Sequence, residues 1–275
     1  MKRFTIIANP RKDKDLGMTL KVIEYLEKKG CCCFLINHSE SQNIQKSIAS
    51  TECILVVGGD GSIIRTVRRY SDLRLPFVGI NMGRVGYLVE IEPERLYQAL
   101  DALIMDQVRY ESRMMLEGSF NGTEESSPAV NDIVISRGRS TNLIRYAIYV
   151  NGEKLYTYNG DGVIISTPTG STGYSLAAGG PIISPKAEMI LITPVCAMTL
   201  NSRSVVLSAE DEVMIEFSEE QPNSEPEADV SFDGQLKRSM LPGDRLVVKK
   251  SMETYDMIRI RKESFLDKLR KKMSD

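Results

Sequence analysis

The run Ile54-Leu55-Val56-Val57-Gly58-Gly59-Asp60-Gly61-Ser62 constrains this chain more than any other segment. Apolar residues of strand type end abruptly in glycines around one carboxylate, and helical spacing resumes at Ile63. Glycines 58, 59 and 61 are expected to turn the backbone at φ > 0. Without Cβ atoms they would let a phosphate approach main-chain N–H groups. A helix with its N-terminus near Ser62 would add unpaired donors and a partial positive charge. Asp60 is the odd residue, because a carboxylate repels phosphate; it makes sense there if it accepts a proton or holds a metal ion. A turn merely capped by Asp would need only one glycine.

The surrounding hundred residues alternate strand and helix. Phe4 to Ala8, Cys33 to Ile36, Ile54 to Val57 and Phe77 to Ile80 read as short apolar strands. Leu16 to Gly30, Ile44 to Ala49, Ile63 to Tyr70 and Leu96 to Ile104 carry helical spacing. The pattern predicts a doubly wound α/β domain over 1–110, with ligands at the carboxyl ends of its strands. From 111 to 250 the rhythm changes to short β runs with turn signals at Asn151-Gly152, Asp233-Gly234 and Pro242-Gly243-Asp244, which predicts a β-sandwich. The fold class is therefore α/β plus all-β. Residues 219–229 read as a solvated loop. The segment 251–275 carries a basic helix, expected to dock back on the N-terminal domain.

A formal charge of −2 with scattered basic residues speaks against a nucleic-acid partner. No apolar run is long enough to cross a membrane and the N-terminus breaks too early for a signal peptide, so a cytoplasmic protein is expected. Cys31, Cys32, Cys33, Cys53 and Cys196 lack metal-ligand spacing and are expected to be reduced, mostly buried thiols. His38, the sole histidine, is expected on the surface or in a loop.

A second constellation runs from Gly160 to Pro181, where a strand opens into Thr167-Pro168-Thr169-Gly170-Ser171-Thr172-Gly173-Tyr174-Ser175. Its many neutral hydroxyls would hold phosphates and ribose with little net charge, and Tyr174 would pack against a base. A plain Ser/Thr/Gly turn accounts for the bend but not for this density of small polar residues. Upstream, Asn131 and Asp132 pair an amide with a carboxylate at a strand start, groups suited to an adenine edge and to ribose hydroxyls.

With these segments assembled, the chain resembles the NAD kinase family. The resemblance rests on Gly58-Gly59-Asp60-Gly61-Ser62, on Gly79-Ile80-Asn81-Met82-Gly83-Arg84-Val85-Gly86-Tyr87-Leu88, on Asn131-Asp132 and on the block from Asp161 to Pro181. The first of these is shared with 6-phosphofructokinases and lipid kinases; the Thr-Pro-Thr-Gly-Ser-Thr block is more specific. The resemblance implies phosphorylation of the adenosine ribose 2′-hydroxyl of NAD by ATP or polyphosphate, with a divalent metal, Mg²⁺, carried on the phosphates. It also implies homodimers or homotetramers and a site between the two domains. By position it makes Asp60 the general base and puts Gly61 and Arg65 near phosphate. Tyr87 would line the dinucleotide pocket, Asn131 and Asp132 would hold dinucleotide hydroxyls, and Asp161 would contact the nicotinamide side. Thr172, Gly173, Tyr174, Ser175, Leu176 and Ala177 would line the adenine and ribose pocket, with Asn142, Asn159 and Gln235 as weaker matches. Three positions depart from the common pattern: Asp132 where Glu is frequent, Gly173 where Ala is, and Arg84 where His or Lys is. The rival readings are a lipid kinase of the same superfamily and a non-catalytic NADP-sensing module.

Overall fold

A computed structural model describes residues 1–36, 48, 50–83, 86–121, 123, 125–138, 142–199, 202–218, 228–261 and 263–273. His38, Arg84, most of the helix expected over Ile44 to Ala49 and most of the loop 219–229 lie outside the described residues. The chain forms two compact units. One comprises Met1–Arg113 with Thr254–Asp275, and the other Met114–Glu253.

The first unit is built on a parallel sheet in the order β2-β1-β3-β4, with β1 at Arg3–Ala8, β2 at Cys32–Ile36, β3 at Cys53–Gly58 and β4 at Phe77–Asn81. β3 is buried along its whole length, which explains why it reads as a continuous apolar run and not an alternating one. Helices Gly17–Lys28, Asp60–Tyr70 and Leu96–Ile104 supply apolar faces such as Val22 and Leu26, Ile63 and Val67, and Leu100 and Leu103. After its excursion through the second unit the chain returns, and Met257 pairs in parallel with Phe77 of β4. Ile258 joins the core formed by Phe4, Leu26, Leu55 and Leu100. A helix over Phe265–Met273 follows. It starts at a reciprocal cap in which Asp267 N–H donates to Ser264 Oγ, while Ser264 N–H and hydroxyl donate to the Asp267 carboxylate.

In the second unit two antiparallel sheets share one core. One has strands Val205–Ser208, Met189–Val195, Gly162–Ser166, Asp132–Ser136, Ala228–Phe232 and Leu236–Met240 in spatial order. The other includes Ile144–Val150, Glu153–Gly160, Val213–Ser218 and the start of Arg245–Arg259. Ile133, Ile165, Phe217 and Phe232 meet between them. The turns Asn151-Gly152 and Asp233-Gly234 both have two successive positive φ values, as two-residue hairpins require.

Strands Arg109–Phe120 and Met189–Val195 were not anticipated, and the final strand runs on to Arg259. The first is masked in sequence by charged residues spread along it. Cys32 and Cys196 are exposed, against the expectation of buried thiols. Cys32 lies on β2, which among the described strands pairs with β1 alone, and Cys196 follows strand Met189–Val195 at φ 47°. No described helix is long and apolar enough to cross a membrane.

Candidate active site

At the carboxyl ends of the adjacent strands β1 and β3 the chain makes two turns that complete each other. Asn9 directs its side-chain amide to Ser62 Oγ at 2.7 Å and accepts Arg11 N–H at 3.0 Å. The turn that follows β1 places Lys12 Nζ over the glycines: a Cβ added to Gly59 would lie 2.6 Å from it, and one added to Gly83 3.3 Å. The helix begins at Asp60 with Gly59 as its N-cap, two residues before the expected start. The N–H groups of Asp60 and Gly61, ahead of the first helical bond from Ser62 N–H to Gly59 O at 2.8 Å, share this corner with the exposed ammonium of Lys12. Lys12 was missed in sequence. The signal was the cationic run Arg11-Lys12 just after β1, legible only once β1 was known to lie beside β3.

The glycines do not act as expected. Gly58, Gly59 and Gly61 are absent from the positive-φ residues, and Gly59 is extended at φ −129°. Close approach requires Gly58, where a Cβ would meet Ser62 Oγ at 2.4 Å and its Cβ at 2.7 Å; at Gly59 a Cβ would meet only the flexible tip of Lys12, which can swing away. Gly61 has open space in front of it.

Asp60 is held from the loop that follows β4. Its Oδ2 accepts Tyr87 N–H at 2.7 Å, and its Oδ1 accepts Leu88 and Val89 N–H at 3.1 Å each. Only a glycine at 86 permits this grip, since a Cβ there would sit 2.1 Å from Asp60 Oδ1. Three charge-assisted main-chain bonds fix the carboxylate. A carboxylate offers about four acceptor positions, so Oδ2 keeps capacity for a substrate hydroxyl. Arg65 is exposed on the same helix. Tyr87, expected to line a dinucleotide pocket, has its ring 6.2 Å from that of Phe265, with Lys272 Nζ 4.1 Å from its centroid.

In the second unit, Asn131 and Asp132 meet the hydroxyl-rich loop. Thr167 N–H donates to Asn131 O at 2.9 Å, and a Cβ on Gly170 would stand 2.0 Å from that same oxygen, so the loop packs on the Asn131 backbone. A Cβ at Gly173 would lie 3.6 Å from Asn131 Nδ2 and 3.9 Å from Asp132 Oδ2, and its tightest contact, 3.2 Å to Gly170 O, asks for only a small shift. The Ala common at this position therefore fits. Asn131 Oδ1 and Ser166 Oγ are buried without a hydrogen-bond partner in the structure, and Ser166 pairs in register with Asp132. Buried polar atoms are normally satisfied, so these two are exceptions, and both lie near the Asp132 carboxyl.

Asp132 is 7% exposed, and burial, followed by the neighbouring Asp233, pushes its carboxyl up to about 7. Asp233 takes Val130, Asn131 and Asp132 N–H groups. Gln235 lies just past the Asp233-Gly234 turn, its N–H on Phe232 O.

The hydroxyls read as ligand donors are engaged inside the fold. Ser175 Oγ is bonded to Thr193 Oγ1 at 2.9 Å, Ser171 Oγ to Pro168 O at 2.7 Å, and Thr167 Oγ1 to Val130 O at 2.7 Å. They stiffen the loop beside its own main-chain bonds, such as Ser171 N–H to Thr167 O and Gly173 N–H to Gly170 O. Thr172 and Gly173 are half-buried, while Tyr174, Leu176 and Ala177 are exposed on one helical turn over Tyr174–Ala177. Asp161 pairs with Arg137 at 2.7 Å, a partner that sequence reasoning missed. Asp161, Asn159 and Asn142 lie at the opposite end of strand Gly162–Ser166 from Asp132, since Ile144 pairs with Gly160 and Ser166 with Asp132. A strand of this length separates the two groups by roughly 13 Å.

Among the described residues no three His, Cys, Asp or Glu side chains come together to hold a metal. The donor set, one carboxylate already bonded to three N–H groups, fits a metal carried on substrate phosphates and not a protein cage.

The gripped carboxylate beside an ammonium and a helix N-terminus has the layout of a phosphate-handling site. Family models for the ATP-NAD kinase N-terminal and C-terminal domains match residues 4–108 and 130–260. An NAD kinase of Agathobacter rectalis is 42% identical over 284 residues, with 100% of this chain and 99% of that protein covered. The fold is similar to that of yeast NADH kinase complexed with NADH, with a TM-score of 0.88, 21% identity and 100% and 88% of the two chains covered. It is also similar to an NAD kinase from Archaeoglobus fulgidus in complex with ATP, with a TM-score of 0.79, 24% identity and 99% and 98% coverage. The chain belongs to the NAD kinase family.

Two outcomes follow from this geometry. Gly86→Ala expels the Asp60 carboxylate from its three donors; the variant should remain folded by circular dichroism yet lose at least about tenfold in kcat. Activity at the parent level would show that the grip is dispensable. For Asp132, a folded-state value near 7 against an unfolded value near 4 means that the native state binds the extra proton, so its contribution to stability falls as pH rises from about 4 to about 7. Asp132→Asn should flatten that slope in thermal melts of the free protein, and an unchanged slope would assign the pH dependence to other groups.

Proposed function

We propose that this protein is an NAD kinase that transfers the γ-phosphate of ATP, or a phosphate of polyphosphate, to the adenosine ribose 2′-hydroxyl of NAD. The observation that carries the reading is the gripped Asp60 beside Lys12 and a helix N-terminus, in a chain of this family. Lys12 and the first-turn N–H groups take the phosphates of the donor. Asp60 accepts the hydroxyl proton at Oδ2 as the bond from ribose oxygen to phosphorus forms and the bond to the leaving diphosphate breaks, a contribution of about a hundredfold to ten-thousandfold.

Asn131 and Asp132, with the orphaned Ser166 hydroxyl nearby, take the adenine and ribose of NAD. Gly58, Gly59 and Gly61 border the donor phosphates and Arg65 adds charge to that side. Thr172 to Ala177 border the adenosine, with Gln235 near it, and Asn142, Asn159 and Asp161 serve the nicotinamide side. When bound, Mg²⁺ on the phosphates offsets their charge. The protein acts in the cytoplasm as a homodimer or homotetramer.

Purified protein with NAD, ATP and Mg²⁺ should form product that an NADP-specific dehydrogenase reads, and it should leave diacylglycerol and sphingosine untouched. Lipid phosphorylation without NADP would overturn the assignment. Asp60→Asn should keep NAD affinity while kcat falls by at least about a hundredfold; near-normal kcat at saturating substrates and metal would remove Asp60 as the base. Lys12→Met should raise KM for ATP by about tenfold or more, the worth of a charged hydrogen bond, with NAD affinity unchanged. An unaltered ATP KM would take Lys12 out of the donor site.

A further inference from the structure

We propose that Lys268 and Arg259 are positioning residues for the Asp60 carboxylate, acting through the two amides that join Tyr87 to Leu88 and Leu88 to Val89. The inference rests on the reading of Asp60 as the base.

Each of these amides is bonded at both ends. The Tyr87–Leu88 amide gives its N–H to Asp60 Oδ1 at 3.1 Å and receives Lys268 Nζ on its oxygen at 3.4 Å. The Leu88–Val89 amide gives its N–H to the same Oδ1 at 3.1 Å and receives Arg259 Nη1 on its oxygen at 3.3 Å. A cation on the carbonyl side of a peptide group polarises it and strengthens the donor on the other side. The carboxylate and the two cations thus face each other across two amides, and orientation of the loop is set from the cationic side. Lys268 also reaches Val89 O at 3.2 Å, so one ammonium spans the segment.

The cations are themselves anchored. Glu90, 3% exposed, holds Arg259 at 3.1 Å and Lys268 at 3.5 Å and accepts the N–H groups of Ile260 and Arg261. Arg259 also reaches Glu111 at 3.3 Å. Phe265 and Lys272 meet the Tyr87 ring from the same capped helix. A purely structural role explains less. Burial and the nearby Arg259 charge disfavour the ammonium form of Lys268, and a buried ion pair is weak evidence for stability. An apolar side chain would fill the space without aiming a donor at the carbonyls behind Asp60.

The test is a double-mutant cycle on the full chain. Lys268→Met should lower kcat by about tenfold or more with KM for NAD and ATP within about twofold, because the lost interaction bears on the transition state. In an Asp60→Asn background the same substitution should change kcat by less than about twofold, since the residue it serves is gone. Amide exchange at Leu88 and Val89 should quicken by about tenfold in Lys268→Met, and this readout does not depend on turnover. Should Lys268→Met melt below assay temperature, Lys268→Gln, neutral but still a donor, takes its place in the cycle. Equal losses in both backgrounds, unchanged exchange, or an effect confined to KM would overturn the inference. Near-normal kcat in Asp60→Asn alone would instead overturn the reading of Asp60, with the exchange result still deciding whether Lys268 orders the loop.

Discussion

The grip of the Tyr87–Val89 main chain on one carboxylate organises the first unit. Asp60 stands at the start of a helix, where its side chain could have capped its own N-terminus or faced an incoming anion. Three N–H groups from a different loop take it instead. The consequence is electrostatic as well as geometric. With the anion satisfied from one side, the positive character of the helix terminus and the Lys12 ammonium remain available to phosphate. A carboxylate can then stand near phosphate because it points at a separate set of partners and leaves one acceptor position for a proton.

The second unit solves a different problem with different means. The loop after strand Gly162–Ser166 carries main-chain bonds of its own, such as Ser171 N–H to Thr167 O, and hydroxyls brace it further: Thr167, Ser171 and Ser175 are all turned inward. That internal use leaves Asn131 Oδ1 and Ser166 Oγ unsatisfied beside a carboxyl that titrates near neutrality. Rigidity comes from the buried hydroxyls, and the corner beside Asp132 is left polar but low in charge.

Much of this was legible in the sequence. Strands β1, β3 and β4 announce themselves as buried apolar runs that end close to a proline or glycine, and the Asn-Gly and Asp-Gly turns took the left-handed pairs that such hairpins need. Other features were not legible, for identifiable reasons. Lys12, Lys268 and Arg259 act by proximity across elements far apart in the chain, and no local pattern distinguishes them from other surface-type cations. The glycines at 58 and 59 were expected to take positive φ, and neither does: the Ser62 side chain fills the space before Gly58, while only the flexible tip of Lys12 lies before Gly59. The hydroxyl block was read by composition, which cannot separate a hydroxyl that faces a ligand from one that braces a loop.

The return of residues 254–273 to the first unit also bears on how the chain is made. Glu90 is buried, and the partners that balance it, Arg259 and Lys268, are translated some 170 residues later. Domains generally fold as units, the N-terminal one first, while synthesis proceeds. Here that order is blocked. Until Arg259 and Lys268 have left the ribosome, closing the first unit would bury a carboxylate without a counter-charge, a state that costs several kcal/mol. The loop that grips Asp60 therefore gains its full set of partners only after the β-sandwich has been synthesised.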